Sequence, residues 1–228
     1  MGEFELIAAH FAGLTAARAD TALGIGDDAA LLQMPPGEHL VVTTDTLVAG
    51  RHFLADGDPV ALGHKALAVN LSDLAAMGAS PAWITLALSL PAADNAWLTG
   101  LARGLGDLAA QHNVQLIGGD TTRGPLALTL TALGQVPHGQ ALRRAGAQPG
   151  DLIYVSGQLG DAALALLARQ GLYVTQGEVA ALNARLDRPT PRVALGLALR
   201  GLASAAIDLS DGLGSDLGHL CRASGVGA

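Results

Sequence analysis

Aspartate is the residue type in this sequence with the most chemistry to offer. Of 20 carboxylates, 16 are Asp, and only Glu3, Glu5, Glu38 and Glu178 are Glu. Against them stand 12 Arg and a single lysine, Lys65, for a net charge of -7. Glutamate is a good helix former that decorates helix surfaces, whereas aspartate favours turns, caps and hard cations. Five acidic motifs fall at expected strand ends, on a helix or in glycine turns. They are Asp27 and Asp28 in GIGDDA, Asp45 in TTDT, Asp73 in NLSDL, Asp120 in GGDTTRG, and Asp208 with Asp211 in DLSDG. Any one alone reads as an ordinary turn or cap. Three features favour convergence instead. Asp45 lies among β-branched residues, where Asp is disfavoured. Asp120 follows the apolar run VQLI and two glycines, the layout of a side chain delivered from a strand's C-terminal end. Asp73 sits on an apolar helix, one turn after Asn70.

Convergence has an electrostatic cost that names its own remedy. Two carboxylates about 4 Å apart repel by roughly 4 kcal/mol at an effective dielectric of 20. Several such pairs would rival the whole stability of a domain, about 5–15 kcal/mol. Mg2+, a hard cation that prefers oxygen, converts that repulsion into binding, and Thr43, Thr44 and Ser210 add neutral oxygens beside the acids. Few protein ligands per ion imply that phosphates supply the remainder. In GGDTTRG, Gly118 and Gly119 allow close backbone approach to a phosphate, Asp120 can hold its metal, and Arg123 can neutralise charge. A surface hairpin turn is the plainer alternative there. His52, in AGRHF, follows the Asp45 strand, and a structural role weighs evenly against ligand contact. The tandem Arg143 and Arg144 read either as solvated linker charge or as groups reaching a triphosphate. GIGDDA also fits GxGxxA, but no clean strand precedes Gly24 and two acids would face the pyrophosphate, so a dinucleotide site is disfavoured. Lys65 lies in GHKA, which excludes a Walker A loop.

These groups need a scaffold, and the composition supplies one. Half the residues are hydrophobic and 14% are charged, which excludes a disordered chain and provides a sizeable core. Aromatics at 3% and an acidic balance argue against nucleic-acid partners. The longest uncharged run, 74–93, carries Gly78, Pro81 and Pro91 and does not read as a membrane span. One cysteine, Cys221, suits a reducing cytoplasm, and MGEFELIAAHF is not a signal peptide. Periodicity predicts helices over 3–13, 59–77, 94–112, 160–171, 190–203 and from about 213 to 223, with Asp94 as an N-cap and Gly78 as a stop. It predicts strands over 39–47, 83–90, 114–120, 126–134, 151–157 and 205–213, and a glycine turn into a short strand over 24–32. Alternating helices and strands imply α/β or α+β layering, with a boundary near 137–150. Strands 83–90 and 126–134 lack a clear polar face, which suggests burial against a second copy.

Taken together and in order, GIGDDAALL, TTDTLVAGRHF, KALAVNLSDLAAMGA, QLIGGDTTRGPL, AGAQPGDLIYVSG, RPTPRV and AAIDLSDGLGSDLGHL resemble the thiamine-monophosphate kinase family. That family lies within the superfamily of aminoimidazole ribonucleotide synthetase. The resemblance runs along essentially the whole chain, which ends at SGVGA without a match to the family's GGEDYE-like segment or its late substrate-packing aromatic. It implies an N-terminal α/β domain, residues 1–137, whose mixed sheet pairs with a second subunit into a dimer-spanning β-barrel. It implies an incomplete C-terminal α+β domain, residues 138–228, with ATP between the two. By motif match, Asp28, Thr43, Thr44, Asp45, Asp73, Asp120, Asp208 and Asp211 correspond to Mg2+ ligands. Gly119, Asp120, Arg144 and Ser210 correspond to nucleotide contacts, and His52 to a thiamine monophosphate contact. Asp45, Asp73 and Asp120 would carry the catalytic metals for phosphoryl transfer from ATP to the phosphate of thiamine monophosphate, an acceptor that needs no general base. Two rivals are a related ATP-dependent synthetase and a Mg-ATP-binding dimerisation module without catalysis. Selenophosphate synthetase is the weaker of the related enzymes, since the only thiol lies near the C-terminus.

Overall fold

The computed structural model describes residues 3–171 and 176–228. In chain order the elements are α1 (Glu3–His10), β1 (Thr21–Leu23), β2 (Leu31–Leu32), β3 (Glu38–Val48), α2 (Pro59–Ala76), β4 (Ser80–Leu90), α3 (Asn95–Gln111), β5 (Gln115–Arg123), β6 (Ala127–Pro137), α4 (Asp161–Arg169), α5 (Gln176–Asp187), α6 (Val193–Ala198) and α7 (Leu213–Ser224). Both long N-terminal helices start where a carboxylate can cap them. Asp58 accepts from Val60 N–H, and Asp94 accepts from Ala96 and Trp97 N–H, so four otherwise orphaned first-turn donors become fewer. Gly78 ends α2 in the left-handed region, as the sequence predicts.

The main sheet is mixed, with strand order β3-β6-β4-β5. Strands β4 and β5 run parallel, and α3 forms the crossover that parallel pairing requires. The other two pairings are antiparallel. Helices α2 and α3 cover one face, burying Leu67, Leu71, Leu74, Leu98 and Leu101 against Ile84, Leu88, Leu128 and Leu130. The two helices approach closely because glycine lies at their crossing. A Cβ on Gly104 would stand 1.9 Å from the Val60 carbonyl oxygen, and one on Gly63 would stand 2.1 Å from that of Leu101. Gly104→Ala should therefore cost about 1–3 kcal/mol or more through forced separation of the helices. Denaturant unfolding checks this, and an unchanged midpoint would contradict it.

The opposite sheet face is divided. At one end the β1–β2 hairpin lays Ala30, Leu32 and Met34 over Ala82, Trp83 and Ile117. At the other, Thr44 pairs with Thr131 and Thr46 with Thr129 across β3 and β6, each at 2.9 Å, while Leu40, Val42 and Val48 are exposed. The expectation of strands without a polar face needs correction. Strands β4 and β6 are so apolar because they are central in the sheet and carry the helix-covered core, yet their other side holds Thr85, Ser89, Thr129 and Thr131.

The expected C-terminal strands are also corrected. Among the described residues no strand follows Pro137. The segments 151–157 and 205–213 have extended-type composition but no strand partner, and an unpaired strand is not stable in water. Leu152 and Tyr154 are accordingly 76% and 84% exposed. Helix 190–203 contracts to α6 with turns beyond it, and α5 is an additional helix. This helical half is tied to α2 and its ends. Leu142 N–H donates to the Met77 carbonyl at 3.1 Å, Arg200 Nε to that of Gly78 at 2.5 Å, and His64 Nε2 contacts the Pro189 carbonyl at 2.9 Å. Among the described residues, no helix is long and apolar enough to cross a membrane.

Candidate functional site

Alternation along β3 sends Thr43 and Asp45 to the face covered by α2, and Thr44 to the other. Asp73, on α2, meets them there: Thr43 Oγ1 donates to Asp73 Oδ2 at 2.5 Å. The third acid arrives from the helical half. Ser72, next to Asp73, donates to Asp208 Oδ2 at 3.2 Å, and Ala206 N–H donates to the Arg143 carbonyl at 2.9 Å, holding that segment alongside. Asp45, Asp73 and Asp208 thus come from a strand, a helix and a loop.

Their electrostatics are unfavourable as they stand. Burial raises the Asp45 pKa, and the Asp73 charge adds to the rise. Charge on the His52 ring acts in the opposite direction. Val48 N–H donates to His52 Nδ1 at 3.0 Å, so Nδ1 is the accepting nitrogen and Nε2 is the one left to donate. Burial likewise raises the Asp208 pKa, followed by Asp73, with Asp216 and Asp45 contributing and the Ser72 bond opposing. Among the described residues, Asp45, Asp73 and Asp208 make no ion pair with Lys or Arg. Nor do any three His, Cys, Asp or Glu side chains there stand close enough to form a ready metal cage. The hydroxyl and carboxylate oxygens nevertheless form the donor set that Mg2+ prefers, with open positions left for phosphate oxygens.

One organising residue escaped the sequence reading. Asp216 is 3% exposed, and its Oδ2 accepts from the N–H groups of Ser210, Asp211 and Gly212 at 3.0, 3.1 and 3.1 Å. It shapes the DLSDG loop from the first turn of α7. The signal was present: an Asp shortly after a glycine turn that opens a helix is a capping pattern.

Among the described residues, none of the remaining expected residues hydrogen-bonds to these three acids. Asp28, Asp120, Asp211, Ser210 and Arg144 are exposed, and Asp28 N–H donates to Asp27 Oδ1 at 2.8 Å. The Arg144 carbonyl accepts from Ser224 Oγ at 3.0 Å. Thr44 Oγ1 is committed to Thr131 on the opposite face from Asp45. Gly119 pairs with Leu86, and a Cβ there would stand 1.9 Å from the Leu86 carbonyl oxygen. Strand pairing alone therefore requires that glycine. His52 is exposed at the end of β3, in a loop closed by His52 N–H to the Val48 carbonyl at 2.9 Å.

The fold class has a family signature. Residues 26–136 match the AIR synthase related protein N-terminal domain, and residues 148–228 match the corresponding C-terminal domain. The AIR synthase-like fold is therefore the class to which this mixed sheet and acidic site belong. Within it, the chain is 57% identical over 229 residues to thiamine-monophosphate kinase of Salmonella typhimurium, covering 100% of this chain and 70% of that protein. It is 48% identical over 225 residues to that of Haemophilus influenzae, covering 98% and 69%. The crystal structure of thiamine-monophosphate kinase from Stenotrophomonas maltophilia superposes with TM-score 0.89 at 55% identity, covering 96% of this chain and 72% of that one. AaThiL complexed with AMPPCP and TMP superposes with TM-score 0.77 at 33% identity, covering 88% and 65%. The chain belongs to the thiamine-monophosphate kinase family.

Proposed function

We propose that this chain transfers the γ-phosphoryl group of ATP to the phosphate of thiamine monophosphate, giving ADP and thiamine diphosphate. The observation that carries the reading is the meeting of Asp45, Asp73 and Asp208 with no Lys or Arg ion pair among the described residues. The relatives and the neighbour solved with a nucleotide analogue and TMP support the choice of substrates. Thr43, Asp45, Asp73 and Asp208 would hold Mg2+, with Asp28, Thr44, Asp120 and Asp211 as the further ligands suggested by motif. Held there, Mg2+ would supply the positive charge that offsets the donor and acceptor phosphates. The bond broken is that between the γ-phosphorus and the β–γ bridging oxygen; the bond formed joins that phosphorus to an oxygen of the acceptor phosphate. That oxygen is already anionic near neutral pH, so no side chain need remove a proton, and catalysis rests on alignment and charge compensation.

The chain's own residues divide the remaining work. Thr43 orients Asp73, Ser72 orients Asp208, and Asp216 holds the Ser210–Asp211 loop beside the site. Gly119, Asp120, Arg144 and Ser210 would contact nucleotide. His52, carrying its proton on Nε2, would donate to the phosphate of thiamine monophosphate. Residues 1–137 would form the nucleotide-binding and dimerisation unit and residues 138–228 the second unit. The open face bearing Leu40, Val42 and the threonine ladder would meet the same face of a second copy, giving the dimer-spanning barrel. Incubation with thiamine monophosphate and γ-labelled ATP tests the reaction: label in thiamine diphosphate is expected, and label released only as free phosphate would overturn it. Light scattering tests the dimer, where a mass of 22.9 kDa would contradict it.

A further inference from the structure

Lys65 is a partly buried cation that the proposed chemistry does not use. Lys65 lies on α2, and its Nζ donates to the backbone carbonyl of His52 at 3.1 Å. With Phe53, Leu54, Trp97, Arg169 and Asp187 it lines a cavity of about 300 Å3 between the His52 loop and the helical half. Asp56 and Asp58 also line it; both oxygens of Asp187 are engaged by Arg169, Asp58 pairs with Arg188, and among the described residues no acid forms an ion pair with Lys65. Burial pulls the Lys65 pKa down, and Asp187 opposes while Arg169 adds to it. The ammonium is therefore directed at the His52 carbonyl rather than committed to an ion pair.

The other side of the His52 loop is already fixed. Val48 holds the imidazole through its N–H and the His52 amide through its carbonyl, at 3.0 and 2.9 Å. Gly50 N–H donates to the Phe53 carbonyl at 2.8 Å across the turn. Lys65 supplies the contact from the helix side. We propose that Lys65 is a positioning residue: by holding the His52 carbonyl, its ammonium fixes the direction in which His52 Nε2–H meets an anionic substrate. The loop contact stands by itself; its consequence for thiamine monophosphate rests on the reading of His52 given above.

Lys65→Met and Lys65→Arg separate the two. Hydrogen exchange needs no substrate: Lys65→Met should speed exchange at the Val48 and His52 amides by roughly tenfold, with the amides of α3 unchanged. Lys65→Arg, which keeps a cationic donor, should stay near wild type. In turnover with ATP and thiamine monophosphate, Lys65→Met should raise the KM for thiamine monophosphate by roughly tenfold and leave the KM for ATP and the melting temperature in place. Unchanged exchange in Lys65→Met overturns the proposal, as does a rise in both KM values together. Faster exchange with an unmoved KM overturns the link to substrate. A wild-type chain that exchanges as expected but makes no thiamine diphosphate counts against the kinase reading and leaves the Lys65 contact decided by exchange.

Discussion

Asp73→Asn is expected to lower turnover on the order of 10²–10³-fold while making the metal-free protein more stable. The two effects share one cause. Asp73 is the charge that acts on both other acids: it raises Asp45 and Asp208, each already raised by burial. It also receives the Thr43 hydroxyl at 2.5 Å, a bond the amide oxygen can still accept. The substitution thus removes charge with little change of shape. The pH dependence has a definite sign. Folded-state pKa values above the unfolded value of 3.8 mean that the native state binds the extra protons. The stability these two groups contribute is fully present below 3.8 and is lost as pH rises through their raised folded values. In EDTA, the melting temperature of Asp73→Asn should therefore exceed that of wild type by a margin that widens as pH rises from 3.8 through the raised folded values and then levels off. A margin that narrows with rising pH, or a variant that turns over normally at saturating Mg2+, would contradict the account.

The second large effect lies in a residue that touches no phosphate. Asp216→Ala deletes a nearly buried acceptor serving the N–H groups of Ser210, Asp211 and Gly212. Hydrogen bonds to charged groups are among the stronger ones, and three donors left without a partner should cost about 2–4 kcal/mol in total. For a chain of this size that corresponds to a fall of roughly 4–16 °C in melting temperature. The DLSDG loop would lose its shape, so turnover should fall as well. Asp216→Asn, which retains an acceptor oxygen, should fall between Ala and wild type in both respects. Thermal unfolding together with steady-state kinetics checks this, and an Ala variant with the wild-type melting temperature would refute the capping role.

Elements formed by strong local patterning were legible from the amino-acid sequence. The leucine spacing of 59–77, the β-branched run of 39–47 and the capping Asp94 each specify local structure that survives in the fold. Where sequence reasoning failed, partners decided the outcome. The segments 151–157 and 205–213 have strand composition, but a strand exists only in pairing, and composition does not reveal whether a neighbour is present. The apolar runs of β4 and β6 owe most of their character to central position in a mixed sheet, which depends on neighbours that the runs themselves do not specify.

The site divides in the same way. Asp45 was betrayed by its location in a strand, and Asp73 by its place on an apolar helix; both join one cluster with Asp208. Thr44 is adjacent to Asp45 in sequence, but period-two alternation sends its hydroxyl to Thr131 on the other face. Lys65 was legible only as an excluded Walker lysine and Asp216 not at all, because their partners are backbone groups, which side-chain motifs do not encode.

The most direct test of the central claim is calorimetric titration of a non-hydrolysable ATP analogue into wild type and Asp73→Asn, each with Mg2+ and with EDTA. Binding in wild type that requires Mg2+ and collapses in Asp73→Asn is the predicted result. Equal affinity in all four titrations would show that the carboxylates of β3, α2 and the DLSDG loop hold no metal for the nucleotide, and would contradict the account.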